Sequence, residues 1–407
     1  MASLSHPSTM ENLPSEILSN IFLRLFAKQL AQMRSVSKSW NAFLSKPSFV
    51  KSHLHRSIKN NDGILLVSFQ GFSFHTKPFT AHPSKSPRIE LTDFVTLPVN
   101  PQYDDTLGRV IGSVNGLVCL SSESIRNSVL LIWNPSLSSV VTLPPISMPY
   151  SGFFPIRLFM RFGFDPKSDD YKVVKLTSYL SKPPIDHALS SFIGCLSDVV
   201  KEWLQVEVYS MRKGSWHSIT QKFPSHITWV EDQDEVYVDG HDGHLHWLCY
   251  SDLKGKRQVI VAFDLGDESF SEILLPDSLL DYNMNRLNVL GRLGEKLCMM
   301  STVVDAGCEV WVMNERGVST SWVKYCVFSH FGNIVPHGFT SRIEFCFQDQ
   351  NGCLALYDPI ATKIRKFRIS DKEHRIFKIV EYVDSLVWVT PDKCEISGSS
   401  VSRLQIG

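Results

Sequence analysis

The sequence predicts an α+β chain of two unequal domains: a small N-terminal three-helix module, then an all-β propeller of about six blades, with five to seven compatible with the spacing. Three observations predict it. Apolar residues recur at helical period between Leu13 and Leu44. From about Gly63 that period gives way to short apolar runs ended by Gly, Pro, Asn and Asp. Those runs then recur as a degenerate unit at the spacing of propeller blades.

The helices come first. Pro14 suits a helix start, where its missing N–H costs nothing, and Glu16 suits the positive end of the helix dipole. Ile17, Ile21 and Leu25 follow at i, i+4 and i+8, flanked by Leu18 and Phe22. A second short helix carries Leu30 and Met33. A third carries Trp40, Phe43 and Leu44, with Pro47 as its stop. Some forty residues are few for an independent core. Ile17, Leu18, Ile21, Phe22, Leu25, Leu30, Val36, Trp40 and Phe43 compete for that interior. The surplus points to a partner surface or to docking on the rest of the chain, and periodicity does not choose between them.

The strands follow. GILLVSF (63–69) is the first. HTKPFTAHPSKSPRIE (75–90) reads as a long polar loop. In IGSVNGLVCLSS (111–122), Asn115-Gly116 is a tight-turn pair before a buried strand. Comparable strand tips fall at Asn134, Ser210, Asp264, Asn314 and Asp358, spaced 76, 54, 50 and 44 residues apart. The last three spacings match a four-stranded blade, and the first leaves room for an insertion. After each tip comes another strand bearing Leu143, Trp216, Phe270, Trp322 or Phe367. FKIVEYVDSLVWV (377–389) supplies the last strands, and GILLVSF is expected to pair with them and close the ring. The expected boundaries are 8–55 for the helical domain, 56–104 for a linker and first strand, 105–390 for the propeller and 391–407 for a C-terminal tail.

Composition narrows the function classes. The chain has 41 basic and 41 acidic residues, so its overall charge makes no case for nucleic acid or membrane. Residues 1–60 hold eight Lys/Arg against two acids, a surplus of six that the remainder must offset. No basic-then-apolar leader opens the sequence, and no run approaches the ~18 apolar residues of a membrane span. The nine cysteines include no C-x-x-C, and Cys119, Cys249, Cys298 and Cys308 sit in apolar runs as small buried side chains. With no N-glycosylation acceptor, this favours a reducing compartment, cytoplasm or nucleus.

Leu13-Pro14, Glu16-Ile17-Leu18, Arg24-Leu25, Lys28, Leu30, Arg34, Val36, Lys38, Trp40, Pro47, Phe49 and His53-Leu54 stand in the order of a plant F-box, and the stretch resembles that family. Two positions depart: Phe26 stands where the family usually has Pro, and Ser37 where it often has Cys. Loss of the Pro is expected to lengthen the first helix or loosen its joint to the second. The rest resembles the plant F-box-associated domain, type one, a kelch-like propeller. The phrases are Gly112-Ser113, Asn115-Gly116-Leu117, Trp133-Asn134-Pro135, Phe162-Gly163-Phe164-Asp165, Tyr171-Lys172-Val173-Val174, Val208-Tyr209-Ser210, His246-Trp247, Phe263-Asp264, Glu309-Val310-Trp311 and Tyr357-Asp358-Pro359. The kelch Gly-Gly doublet is absent.

This resemblance implies a non-catalytic adaptor. Its F-box would dock on a Skp-type adaptor, and through it a cullin, by Leu13, Pro14, Ile17, Leu18, Ile21, Phe22, Leu25, Leu30, Val36 and Trp40. The propeller would recruit a target protein for ubiquitination. The alternatives are a propeller-based small-molecule receptor or enzyme, and a regulatory binding protein with no ligase engagement. No cofactor or metal is expected. HDGHLHW (241–247) is the best metal candidate, but Asp242-Gly243 reads as a hairpin turn; EDQDE (231–235) lacks the glycine and terminal Glu of a calcium loop. Asp165, Asp169, Asp170, Asp264 and Asp267 read as turn formers, and no nucleophile elbow, phosphate loop or H-E-x-x-H occurs. The long segments 144–160, 177–203 and 224–240 are candidate recognition loops, with 177–203 the largest departure from the repeat.

Overall fold

The computed structural model describes residues 14–60, 63–69, 72–73, 79–92, 107–122, 129–145, 154–180, 201–203, 205–231, 242–251, 257–280, 286–303, 307–329, 331–368 and 376–389. The predictions for Leu13, His241, residues 181–200 and 232–240 and the tail 391–407 lie outside these.

Four helices come first among the described residues: α1 (Ser15–Phe22), α2 (Ala27–Val36), α3 (Lys38–Leu44) and α4 (Pro47–Asn60). The fourth corrects the three-helix expectation. Pro47 follows the end of α3, as predicted, but also starts α4, where its fixed φ is already helical. α4 runs past the expected boundary at residue 55. The Phe26 expectation is corrected too. α1 still ends at Phe22, and Phe26 caps α2 with its own N–H donating to Gln29 Oε1 at 3.0 Å. A proline there could not make that bond.

Among the described residues the strands form six antiparallel sheets arranged as blades. β1 (Ile64–Phe69), β2 (Phe72–Ser73) and β3 (Phe79–Pro83) come first, so the propeller begins at residue 64, not 105. β3 also corrects the loop expected over 75–90: polar and proline flanks hid a strand whose Phe79 and Ala81 are fully buried. The second blade joins β2 to β4 (Leu107–Val114), β5 (Leu117–Ser122), β6 (Leu130–Asn134) and β7 (Ser139–Thr142). The third holds β8 (Phe154–Asp165), β9 (Asp170–Leu180), β10 (Lys201–Trp203), β11 (Glu207–Ser210) and β12 (Ser215–Ser218). Each segment expected as a long loop therefore carries strand at its margins: β8 in 144–160, β9 and β10 in 177–203, and in 224–240 the strand β13 (Trp229–Val230). The fourth blade continues with β14 (His244–Tyr250), β15 (Gln258–Asp264) and β16 (Ser269–Leu274). The fifth is β17 (Arg286–Leu293), β18 (Lys296–Val303), β19 (Gly307–Met313) and β20 (Trp322–Phe328). The sixth is β21 (Val335–Phe339), β22 (Phe345–Gln348), β23 (Leu354–Asp358) and β24 (Lys363–Phe367).

The last strand, β25 (Ile376–Tyr382), pairs with β1 from Ile64↔Tyr382 onward, closing the ring as expected. A closed ring leaves no blade with an unpacked face. Residues 383–389 do not form the further strand expected; they run on as a closing segment.

The turns explain the repeat. Asn134, Asp165, Asp264 and Asp358 each accept, through Oδ1, the backbone N–H two residues on, at 2.7–3.0 Å. Each turn ends in a left-handed residue: Ser138, Asp169, Glu268 and Thr362 have φ of 48–55°. The side chain thus fixes the turn from within. Between blades, apolar clusters form the core, with Trp133, Trp247, Phe162, Phe263 and Phe345 fully buried.

Candidate functional site: the helical face and its seat on the propeller

Amphipathic periodicity alone does not say which apolar residues face inward. Packing of the helices does. Phe22 and Leu30 are fully buried, and with Ala27, Leu44 and Phe49 they make the module's own core. Trp40 meets Phe22 edge-on at 5.4 Å between ring centroids, and Phe43 packs on both Phe22 and Phe49. Of the predicted docking residues, Phe22 and Leu30 are therefore interior supports. Leu18, Ile21, Leu25 and Trp40 are half-buried. Pro14, Ile17 and Val36 are exposed, Ile17 at 48% and Val36 at 71%. Large apolar side chains left in water on a small domain are what a partner surface requires.

The module is seated on the propeller by residues that sequence reasoning missed. Leu386 of the closing segment and Leu137 of the β6–β7 turn complete its core. Asp384 is the polar anchor. Its Oδ2 accepts the Ala27 N–H at the start of α2 at 2.7 Å, and its Oδ1 accepts the Ser136 hydroxyl. A carboxylate at a helix N-terminus satisfies a donor that has no intrahelical partner. Ser136 Oγ in turn accepts the Tyr382 hydroxyl at 2.7 Å; burial pushes that phenol well above its ordinary pKa, so it remains a donor. Asn134 Nδ2 donates to the Ser385 and Val387 carbonyls at 2.9 and 2.8 Å. One blade tip therefore shapes its own turn and holds the closing segment. Buried His53 donates its Nε2–H to the Leu25 carbonyl, 3.0 Å away. Arg34 bonds Asn41 and Ser45 and lies over the Trp388 ring at 5.5 Å. The Trp-Asn-Pro phrase flagged Asn134 in the sequence, but nothing local links it to residues 250 positions away.

The metal candidate dissolves into structural contacts. His244 pairs with Asp264 at 3.2 Å, and Arg316 holds Asp242 at 2.8 Å. Burial would raise the Asp242 carboxyl, but the Arg316 charge and the His244 N–H hold it below its ordinary range. Burial pushes the His246 imidazole down to about 3, so it stays neutral. Among the described residues, no three His, Cys, Asp or Glu side chains gather as a metal site. Of EDQDE only Glu231 is described. Asp165 and Asp264 are turn formers as expected, whereas Asp170 ties blade strands through Ser210 Oγ and the Arg212 N–H. The predicted buried cysteines Cys119, Cys249, Cys298 and Cys308 are buried thiols whose pKa values burial pushes up. No described helix is long and apolar enough to cross a membrane.

Comparison with known proteins places both halves. The F-box-like profile matches residues 10–56, and the profile of the F-box associated beta propeller domain matches residues 64–394. The chain belongs to the F-box proteins with an associated propeller. F-box protein CPR1 of Arabidopsis thaliana is 28% identical over 328 residues, 77% of this chain and 72% of CPR1. The Arabidopsis F-box/kelch-repeat protein At3g23880 is 27% identical over 362 residues, 85% of this chain and 88% of that protein. Among solved structures, a chain of a nidogen/laminin complex aligns with TM-score 0.44 and 12% identity, over 79% of this F-box protein and 99% of that chain. That likeness is too distant to bear on function. The F-box implies binding to a Skp-type adaptor in general, and its family is generally one of non-catalytic adaptors.

Proposed function

We propose that this F-box protein is the substrate-recognition subunit of an SCF-type ubiquitin ligase. The helical module docks a Skp-type adaptor, and through it a cullin, while the propeller holds a target protein for ubiquitination in cytoplasm or nucleus. The observation that carries this reading is the exposed apolar set, Ile17 and Val36 with half-buried Leu18, Ile21, Leu25 and Trp40, on a module matching the F-box profile. Phe22 and Leu30 act from inside by fixing the helices that present those residues. The chain contributes proximity: a tethered target meets the ubiquitin-loaded machinery at raised effective concentration. No side chain of the propeller needs to do chemistry.

The test is capture of a purified Skp-type adaptor by the full chain, compared with Ile17→Asp and Val36→Asp. The wild type should retain the adaptor. Each variant should fold, since both side chains are exposed, yet lose affinity by about tenfold or more as a charge meets an apolar contact. A folded wild type that captures no adaptor overturns the ligase reading.

A further inference from the structure

A cleft of about 690 Å³ lies where the module meets the propeller. That volume falls within the roughly 300–1,000 Å³ of small-molecule sites, which favour domain junctions. One wall comes from the α1–α2 turn and α4, the other from β1, the β6–β7 turn and Leu91. Three features give it chemical character.

The first is charge. Arg24, Lys28 and Arg56 all line the cleft, and among the described residues no carboxylate or other side-chain partner engages any of them. The carboxylate in the lining, Asp384, is already bonded to the Ala27 N–H and the Ser136 hydroxyl. The second is an orphaned polar atom. His53 lines the cleft, is 2% exposed, and leaves Nδ1 without a hydrogen-bond partner among the described residues. With Nε2–H donating to the Leu25 carbonyl, Nδ1 is an acceptor, and its unpaired burial carries a free-energy cost that a donor on the ligand's ring body, not its acidic group, can remove. The third is apolar surface from Leu25, Ile64 and Leu91.

We propose that this cleft binds a small organic anion, an apolar ring system carrying one acidic group. The acidic group sits against Arg24, Lys28 and Arg56, where charge-assisted hydrogen bonds are strong. The ring body covers Ile64 and Leu91. Because the walls belong to different domains, the ligand fastens the F-box to the propeller. The inference stands whether or not the F-box engages a ligase.

Titration calorimetry on the full chain tests it, with naphthalene-2-sulfonate as probe, its neutral sulfonamide as isostere, and inorganic phosphate as the anion without a ring. The sulfonate should bind one-to-one, and the sulfonamide and phosphate each about tenfold more weakly or worse. The double variant Lys28→Gln/Arg56→Gln should lose about tenfold or more in sulfonate affinity. Ser57→Trp, an α4 position on the cleft, should block binding while circular dichroism shows the fold retained. The proposal is overturned by sulfonamide or phosphate binding as tightly as the sulfonate, by folded variants that bind like the wild type, or by no saturable binding at millimolar sulfonate.

Discussion

The two domains treat their large apolar side chains in opposite ways. The propeller seals Trp133, Trp247, Phe162 and Phe345 completely between neighbouring sheets, and leaves Trp388 and Tyr325 half-exposed at its margins. The F-box module also has a closed centre at Phe22 and Leu30, yet keeps Ile17, Phe26 and Val36 in water. The propeller's exposed apolar residues lie mostly elsewhere in role, as with Val323, Tyr325 and Val327 alternating along the outer strand β20. A ring of stacked sheets can bury both faces of each sheet, whereas short helices can bury only one side each. Burial in the first domain therefore reads as stability, and exposure in the second reads as contact.

The comparison breaks first at a tryptophan. Trp133→Ala should cost about 3–5 kcal/mol of unfolding free energy, read by urea denaturation, because it opens a cavity in sealed packing. Ile17→Ala should cost only about 0.5 kcal/mol or less in the same denaturation while weakening adaptor capture. Equal stability losses at both positions would erase the contrast.

The next two effects fall where the domains meet. Gly116 has φ +81°, and a Cβ there would lie 2.1 Å from Ser385 Cβ and 2.6 Å from the Val383 carbonyl. Gly116→Ala should displace the closing segment and cost about 1–3 kcal/mol, with faster amide exchange in α2 because Asp384 moves with it. Asp384→Ala should cost about 1–2 kcal/mol by removing the cap on Ala27. Its melting loss should be matched by weakened protection at the α2 N-terminus. Unchanged exchange there would mean that the apolar contacts of Leu137 and Leu386 alone hold the seat.

Acid should weaken the propeller through Asp165 and Glu268, which share the buried Lys172 Nζ at 3.2 and 3.1 Å. Burial alone would raise both carboxyls. Hydrogen bonds and charge outweigh it, from Ser168 and Lys172 on Asp165 and from His217 and Lys172 on Glu268, and hold both below ordinary values of 3.8 and 4.5. Their stabilisation is present above those values and lost as pH falls through the depressed folded values. The melting temperature should fall below about pH 4.5, and Glu268→Gln should flatten that fall. The smallest effect is expected at the surface pair Lys51–Asp169, 2.9 Å apart but exposed on both sides. Lys51→Ala should shift stability by about 0.5 kcal/mol or less, so any contribution it makes to seating the module is minor.

How much was legible can be followed in single elements. The Asn115-Gly116 turn, the blade tips at Asn134 and Asp264 and the pairing of GILLVSF with the last strand were all readable, because turn chemistry and strand pattern are local or repeat regularly. β3 was missed because Pro83 and polar flanks mask two inward side chains that only pairing with β1 reveals. α4 was missed because a proline that stops one helix can start another.

The sequence by itself determined the two domains, the helical stripe, the recurring turns and the family, since each rests on residues near one another in the chain. Tertiary structure decided which half of the stripe faces water, and that Phe22 and Leu30 face in. It also brought Asp384 to the Ala27 N–H across 357 positions and gathered Arg24, Lys28, Arg56 and His53 around one cleft. The physical reason is that periodicity gives a helix its apolar side, but only packing against Leu137 and Leu386 determines how much of that side remains for a partner.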